Sequence, residues 1–356
     1  MPRNQHSDLR RATASNASGD LLRTKSKGIS HQRVEWVDIA KGIGIFLVVF
    51  CHTLRGVMKQ EIMPPAWAYM DTWVYAFHMP LFFFLSGLFV EDSLRRSGFG
   101  EYVDSKLRRI VWPYFVWSIL QEIIRHFSKR ADVPLRGLWH IIYHPVMQFW
   151  FLYAIFLILI VYGLWRKFGA SPRSFVFLAV ILRVIVTLGL PLGSWGVAYE
   201  ACNCIPFFAL GVLTMEKRLL LPLQAVCTLR LLLFSLGGFL LLTASVAAFF
   251  YGLPLFSIFN AVTGIAATVF LSAALLNSPI HAFFKILGIY SMEIYVAHSI
   301  FSGAIRPLVI GLGFHSIFVQ MMAGILAGLV FPLMLGFFCK KFRIPFIFSF
   351  PSRARV

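Results

Sequence analysis

Runs of about 20 apolar residues recur from one end of this chain to the other, and they leave it few ways to fold. Ten are counted along the 356 residues: 36–57, 71–92, 107–127, 148–166, 174–192, 196–215, 229–251, 254–276, 284–306 and 315–339. Each approaches the ~20 residues that an α-helix needs to cross the hydrocarbon of a bilayer. Helices are the spanning form open to them, because barrel strands alternate in polarity and these runs are apolar all round. The expectation is an all-α, polytopic integral membrane bundle of about ten transmembrane helices. Charge agrees: 13% of the residues are charged, about half the share of a soluble domain.

Basic residues give the bundle a direction. With the N-terminus inside, the cytoplasmic segments 1–41, 91–109, 166–173, 216–230, 277–285 and 340–356 hold 25 of the 33 Lys and Arg. The outer segments hold 7, and Arg183 sits inside a run. This bias is the positive-inside pattern. It predicts a multi-pass protein of the cell (inner) membrane with both termini in the cytoplasm. The expected division is a disordered basic cytosolic tail over 1–34, a membrane domain over 35–340 and a second basic cytosolic tail over 341–356. The first tail lacks the apolar core of a signal peptide. One loop runs against the pattern: 125–147 carries Arg125, Lys129, Arg130 and Arg136 on the outside, with Trp139, His140 and His144. It is expected to fold onto the membrane surface near a site.

Several function classes drop out. The net charge of +18 is accounted for by orientation signal and by tails facing anionic lipid, so the lipid bilayer is the expected partner and nucleic acid is not. Neither G-x-x-x-x-G-K-[ST] nor G-x-G-x-x-G occurs, and an ATP-driven pump would need such a phosphate cradle. The five cysteines, Cys51, Cys202, Cys204, Cys227 and Cys339, are scattered. Cys202 and Cys204 stand too close for the usual zinc spacing. They read as small hydrophobes, and no metal is expected.

Ionisable groups inside spans are costly, and they mark function by default. On the first span, Asp38, Lys41, Ile45, Val48, His52 and Arg55 fall on one stripe by 3/4 spacing. Lys41 and His52 are 11 residues apart, so they point alike, about 16 Å apart along the axis. The ninth span carries a second stripe, Ser291, Tyr295, His298 and Ser302, continued by Arg306. Glu293 lies off that stripe and is expected to pair with another helix. The second span places His78 in the outer half, at about the depth of His52 and His298, which suggests one shared cavity. A histidine that titrates near neutrality is a natural general base for a hydroxyl nucleophile. No acidic dyad suited to glycoside hydrolysis lies within the spans. Ser86 lacks a G-x-S-x-G elbow and, with Gly87 beside it, reads as a helix-packing residue. At the cytoplasmic end, Lys106 and Arg109 face alike one turn apart. With Lys41 they form a set of cations suited to phosphates.

These residues match a known pattern. The stretches from Trp36 to His52 (W-x-D-x-A-K-G-I-G-I-x-L-V-V-x-x-H) and from Phe77 to Gly87 (F-H-M-P-L-F-F-F-L-S-G) resemble the membrane-bound acyltransferase 3 family, in particular its fucose 4-O-acetylase-like branch. Lys106 to Tyr114, Gln148 to Ala154, Pro206 to Gly211 and Leu287 to His298 follow in the family's order. The resemblance implies a ten-helix bundle that takes acetyl from cytosolic acetyl-CoA and delivers it to a sugar hydroxyl. It also implies that the histidine closing the first motif, here His52, is the essential catalytic residue. Where the family usually has arginine, this chain has Lys41 and Lys106, which keep the charge and lose the bidentate fork.

The expectation is therefore a membrane O-acetyltransferase. His52 is its general base, and His298 and Tyr295 orient His52 or stabilise an oxyanion. Lys41, Lys106 and Arg109 hold the phosphates of acetyl-CoA, a donor substrate in place of any bound cofactor. Asp38, His78, Trp150 and Glu293 line the site for a carbohydrate acceptor, Trp150 as an aromatic wall. The rival is a secondary transporter or flippase for a lipid-linked saccharide, which would also have a polar intramembrane cavity. Such proteins often show two similar halves, and 36–190 and 196–340 show no convincing repeat.

Overall fold

The computed structural model describes residues 34–59, 64–128, 135–190, 193, 195–217, 219, 220, 223, 225–249 and 256–351. Residues 1–33 of the expected N-terminal tail, and 352–356, lie outside them. Residues Trp36–Val356 form one compact unit. Within it the apolar runs are helical, as they must be where hydrocarbon offers the backbone no partner, and no strand occurs among the described residues.

The helices in chain order are α1 Glu35–Met58, α2 Pro65–Tyr75, α3 His78–Leu88, α4 Val90–Arg96, α5 Phe99–Lys106, α6 Trp112–Phe127, α7 Trp150–Lys167 and α8 Pro172–Thr187. They continue as α9 Gly196–Glu216, α10 Thr228–Phe249, α11 Phe256–Ala274, α12 His281–Ile289, α13 Ser291–Gly311 and α14 Ile317–Lys341. Two of the expected spans are thus broken. The second becomes α2, α3 and α4, and the ninth becomes α12 and α13 with a break at Tyr290. Among the described residues, eight helical segments are long and apolar enough to cross a membrane. The expected third and fifth are not among them. The third carries Glu122 and Arg125, and a π turn at Leu107–Val111 joins α5 to α6. The fifth, α8, runs 16 residues, about 24 Å of helix against a hydrocarbon core of about 30 Å.

Small residues set how closely the helices cross. A Cβ on Gly42 would overlap the Phe284 carbonyl, and a Cβ on Gly288 the Asp38 carbonyl. This reciprocal clash places α1 and α12 in backbone contact at one point. Gly87 and Gly211 do the same for α3 and α9, against the carbonyls of Phe208 and Phe84. Such approach lets backbones pack where lipid supplies no hydrophobic drive between helices. A second contact lies further along α1, where Gly324 of α14 meets the Thr53 methyl and Gly328 meets Val49.

Of the expected C-terminal tail, Ile344–Phe350 lies along α6. The Trp112 indole donates to the Phe346 carbonyl at 2.7 Å and the Trp117 indole to the Ile347 carbonyl at 2.9 Å. The Phe350 amide donates to the Arg108 carbonyl at 3.0 Å, and Phe348 stacks on Trp117. Indoles thus satisfy backbone carbonyls of a non-helical segment packed on the bundle.

Gly42→Val is expected to destabilise the bundle by about 1–3 kcal/mol or more, the scale of overpacking a tight core. Gly56, with nothing near its missing Cβ, is the control: Gly56→Ala should leave the thermal unfolding midpoint of the detergent-purified protein unchanged or slightly raised.

Candidate active site

The two polar stripes meet. His52 of α1 and His298 of α13 stand with ring centroids 5.0 Å apart and planes at 62°, edge to face. His52 is half-buried, while His298 is fully buried. The Nδ1 of His298 lies 2.8 Å from the Tyr295 carbonyl and 3.1 Å from the Ile294 carbonyl. Both neighbours only accept, so Nδ1 carries the proton and the neutral ring keeps its lone pair on Nε2. That Nε2 is buried, with no hydrogen-bond partner among the described residues. An orphaned buried acceptor beside a second imidazole is expensive to keep, and it gives the pair a proton-accepting position inside the bundle.

A polar network fixes α13 from the other side. The Tyr295 hydroxyl donates to the Gln148 carbonyl, so its proton is committed there. The Gln148 side chain donates to Ser299 Oγ at 2.6 Å, and Ser299 donates to Gln121 Oε1 at 3.2 Å. Aromatic rings close the wall. Phe151 packs edge-on against Tyr295 at 5.5 Å, and half-buried Trp150 stacks near Phe83 at 6.4 Å.

His78 enters through a different chain of contacts. Arg55, one turn beyond His52, holds Asp71 of α2 through bonds of 2.8, 3.0 and 2.9 Å. The same guanidinium lies 4.1 Å over the Tyr75 ring, and Tyr75 meets His78 edge-on at 5.1 Å. His78 Nδ1 is 2.8 Å from the Val74 carbonyl, which fixes its proton there by the same reasoning. The helix break after Tyr75 is what brings α2 across to Arg55.

The remaining candidates sit elsewhere. Asp38 is buried and Lys41 half-buried at the start of α1. Lys106 ends α5, with Nζ 4.8 Å over the Tyr102 ring and 3.3 Å from Ser93 Oγ. Burial and then the Arg109 cation lower its ammonium to about 8. Arg109 is exposed. Glu293 is ion-paired with Lys340 of α14 at 2.7 Å, the helix-to-helix pairing expected from its place off the stripe. Sequence reasoning passed over Gln121, Gln148, Ser299 and the Arg55–Asp71 pair. The first two are polar residues within or at the edge of apolar runs, so the rule that singled out the histidines applies to them too.

Comparison with known proteins agrees with the motifs. A family model described as "Acyltransferase domain" matches residues 34–339. The chain belongs to the acyltransferase 3 family. It is similar to the inner membrane protein YcfT of Escherichia coli, 23% identical over 204 residues, which are 51% of this chain and 56% of that protein. It is also similar to the nodulation protein NolL of Sinorhizobium fredii, 27% identical over 189 residues, 51% of this chain and 49% of that protein. The chain thus spans about half the length of these relatives. No solved structure matches.

Arg55→Met should destabilise the protein by about 1 kcal/mol, a charge-assisted bond discounted because the Arg55 side chain is 38% exposed. The Arg55→Met/Asp71→Leu double variant should recover part of that loss, measured as a double-mutant cycle on thermal unfolding.

Proposed function

We propose that this membrane protein is an O-acyltransferase that moves an acetyl group from cytosolic acetyl-CoA to a sugar hydroxyl of a lipid-linked or surface glycan. The observation that carries the reading is the buried imidazole pair, with a lone pair on His298 and His52 half-open beside it. Family membership supplies the reaction class, and the resemblance of the motifs supplies acetyl and sugar.

In the proposed reaction the His52 imidazole takes the proton of the acceptor hydroxyl. The sugar oxygen attacks the thioester carbonyl carbon, and the C–S bond breaks. The CoA sulfur leaves and takes its proton from the His52 imidazolium. His298 holds His52 edge-on and accepts only at Nε2, and Tyr295 holds α13 in place through Gln148. Trp150 and its neighbouring rings form the apolar wall for the acyl arm, His78 bounds the polar side, and Asp38 lies with Lys41 at the start of α1. Lys41, Lys106 and Arg109, at the basic end of the bundle, take the phosphates of the donor. The N- and C-termini lie on that cytosolic side of the inner membrane.

His52→Ala is expected to cut acetyl transfer by about 10²–10⁴-fold, the range of a general base, with the thermal midpoint unchanged. The assay is radiolabelled acetyl-CoA with glycans released from the producing cells. A variant that folds and transfers at the native rate overturns the reading, as does wild-type protein that carries the glycan across liposomes and never acetylates it.

The donor end has its own pH signature. Lys106 titrates at about 8 in place of 10.5, so its charge is present below pH 8 and is lost as pH rises through it. The kcat/KM for acetyl-CoA should fall above about pH 8. Lys106→Arg, charged throughout this range, should remove that fall.

A further inference from the structure

Behind the Gln148 network, at the end of α6 away from its basic π turn, lies a cavity of about 300 Å³. It is lined by Glu122 and Arg125 of α6 and by His140, His144 and Met147 of the stretch that leads into α7. The volume is at the lower bound for small-molecule sites, which suits a single sugar residue better than a long chain.

Its polar groups are unfinished. Glu122 is 3% exposed. One carboxylate oxygen accepts from Arg125 Nη1 at 2.7 Å. The other, Oε2, is buried with no hydrogen-bond partner among the described residues. His140 Nδ1 is in the same condition, with its ring fixed between Trp139, stacked at 4.5 Å, and Tyr143, edge-on at 5.2 Å. The wall that carries His140 is held in place. Three successive carbonyls are taken by side chains of the bundle: Ile141 by Tyr114, Ile142 by Tyr153 at 2.7 Å and Tyr143 by Trp195 at 3.0 Å. Met147 adopts a left-handed φ of 45°, a conformation that a side chain resists unless its surroundings impose it.

The chemistry of the opening selects its occupant. A free carboxylate oxygen only accepts, so it calls for an O–H or N–H donor. Arg125 neutralises Glu122, so the lining offers an anion no net positive charge and the free Glu122 oxygen cannot donate to it, and an apolar group would leave both orphaned atoms unpaired. A neutral polyhydroxylated ring supplies donors to Glu122 and either kind of partner to His140. A relay of bonds links the cavity to the imidazole pair. The cavity's lining residue Met147 is followed by Gln148, whose carbonyl takes the Tyr295 hydroxyl, and Gln121 Nε2 reaches Met147 Sδ at 3.8 Å. The Tyr295 carbonyl in turn takes His298 Nδ1.

We propose that this cavity is the acceptor subsite, seating one neutral sugar residue through hydroxyl donation to Glu122 and a hydrogen bond to His140. The assignment rests on the acyltransferase reading and adds the side of entry, opposite the basic end that takes the donor.

Two measurements test it on full-length protein purified in detergent. The first is binding, without acetyl-CoA, of fluorescently labelled neutral oligosaccharides released from the producing cells. The second is acetyl transfer to the same oligosaccharides. Glu122→Gln and His140→Ala are each expected to weaken binding at least tenfold and to raise the acceptor KM to match, with the KM for acetyl-CoA unchanged. His144→Ala, on an exposed residue of the same wall, should weaken binding to a smaller extent and keeps the test open should Glu122→Gln not fold. Native acceptor affinity in all variants that fold overturns the subsite while leaving the acyltransferase reading intact, and so does transfer by a wild type that binds no oligosaccharide. Binding that is lost in the variants of a protein that never acetylates supports the subsite and overturns the transfer reading.

Discussion

A polar group in hydrocarbon finds no water, so each one must be answered from within the bundle or left costly. Most in this protein are answered. Arg183, inside an expected span, donates from Nη1 to Asn203 at 2.6 Å and from Nη2 to Ser257 at 2.8 Å. Arg306 is taken by Gln320 at 2.8 Å and by the Gly56 carbonyl. Against this background the exceptions stand out. Among the described residues, His298 Nε2, Gln148 Oε1 and Glu122 Oε2 are buried acceptors left open, Gln148 within the polar network itself.

The network explains how a membrane domain can hold a pair of buried imidazoles still. Gln121, Gln148, Ser299 and Tyr295 join α6, the short turn before α7, and α13 through bonds that hydrocarbon cannot compete for. The aromatic rings of Phe151, Phe83 and Trp150 add shape on the apolar side. Position is thereby set by hydrogen bonds, and access by the rings.

Much of this was legible in the sequence, for a physical reason: the bilayer penalises polar residues, so the few that persist point at the site. The periodic stripes of α1 and α13 predicted that His52 and His298 face inward at one depth, and the rings are in contact. Glu293 pairs with another helix, as its angle on α13 required. Less legible were the breaks at Ala76 and Tyr290: Pro80 has no amide to bond the Ala76 carbonyl four residues earlier, but no proline stands at that distance after Tyr290. The pairing of Arg55 with Asp71 depends on one of those breaks, and sequence spacing could not supply it. The run along α6 of Ile344–Phe350 was equally hidden. Its apolar residues have no helical period to read, and its partners are indoles more than 200 residues away in the chain.

The glycine contacts along α1 carry a mechanical consequence. Gly288 presses on this helix at Asp38, Gly42 meets Phe284 of the same partner helix, and Gly324 and Gly328 press on it at Thr53 and Val49. His52 therefore rides on a strut clamped at both ends, with backbone against backbone at one clamp. A strut of that kind has no slack for swinging its imidazole between two reactants. In the reaction proposed above, donor and acceptor each travel to a stationary ring, one from each end of the bundle.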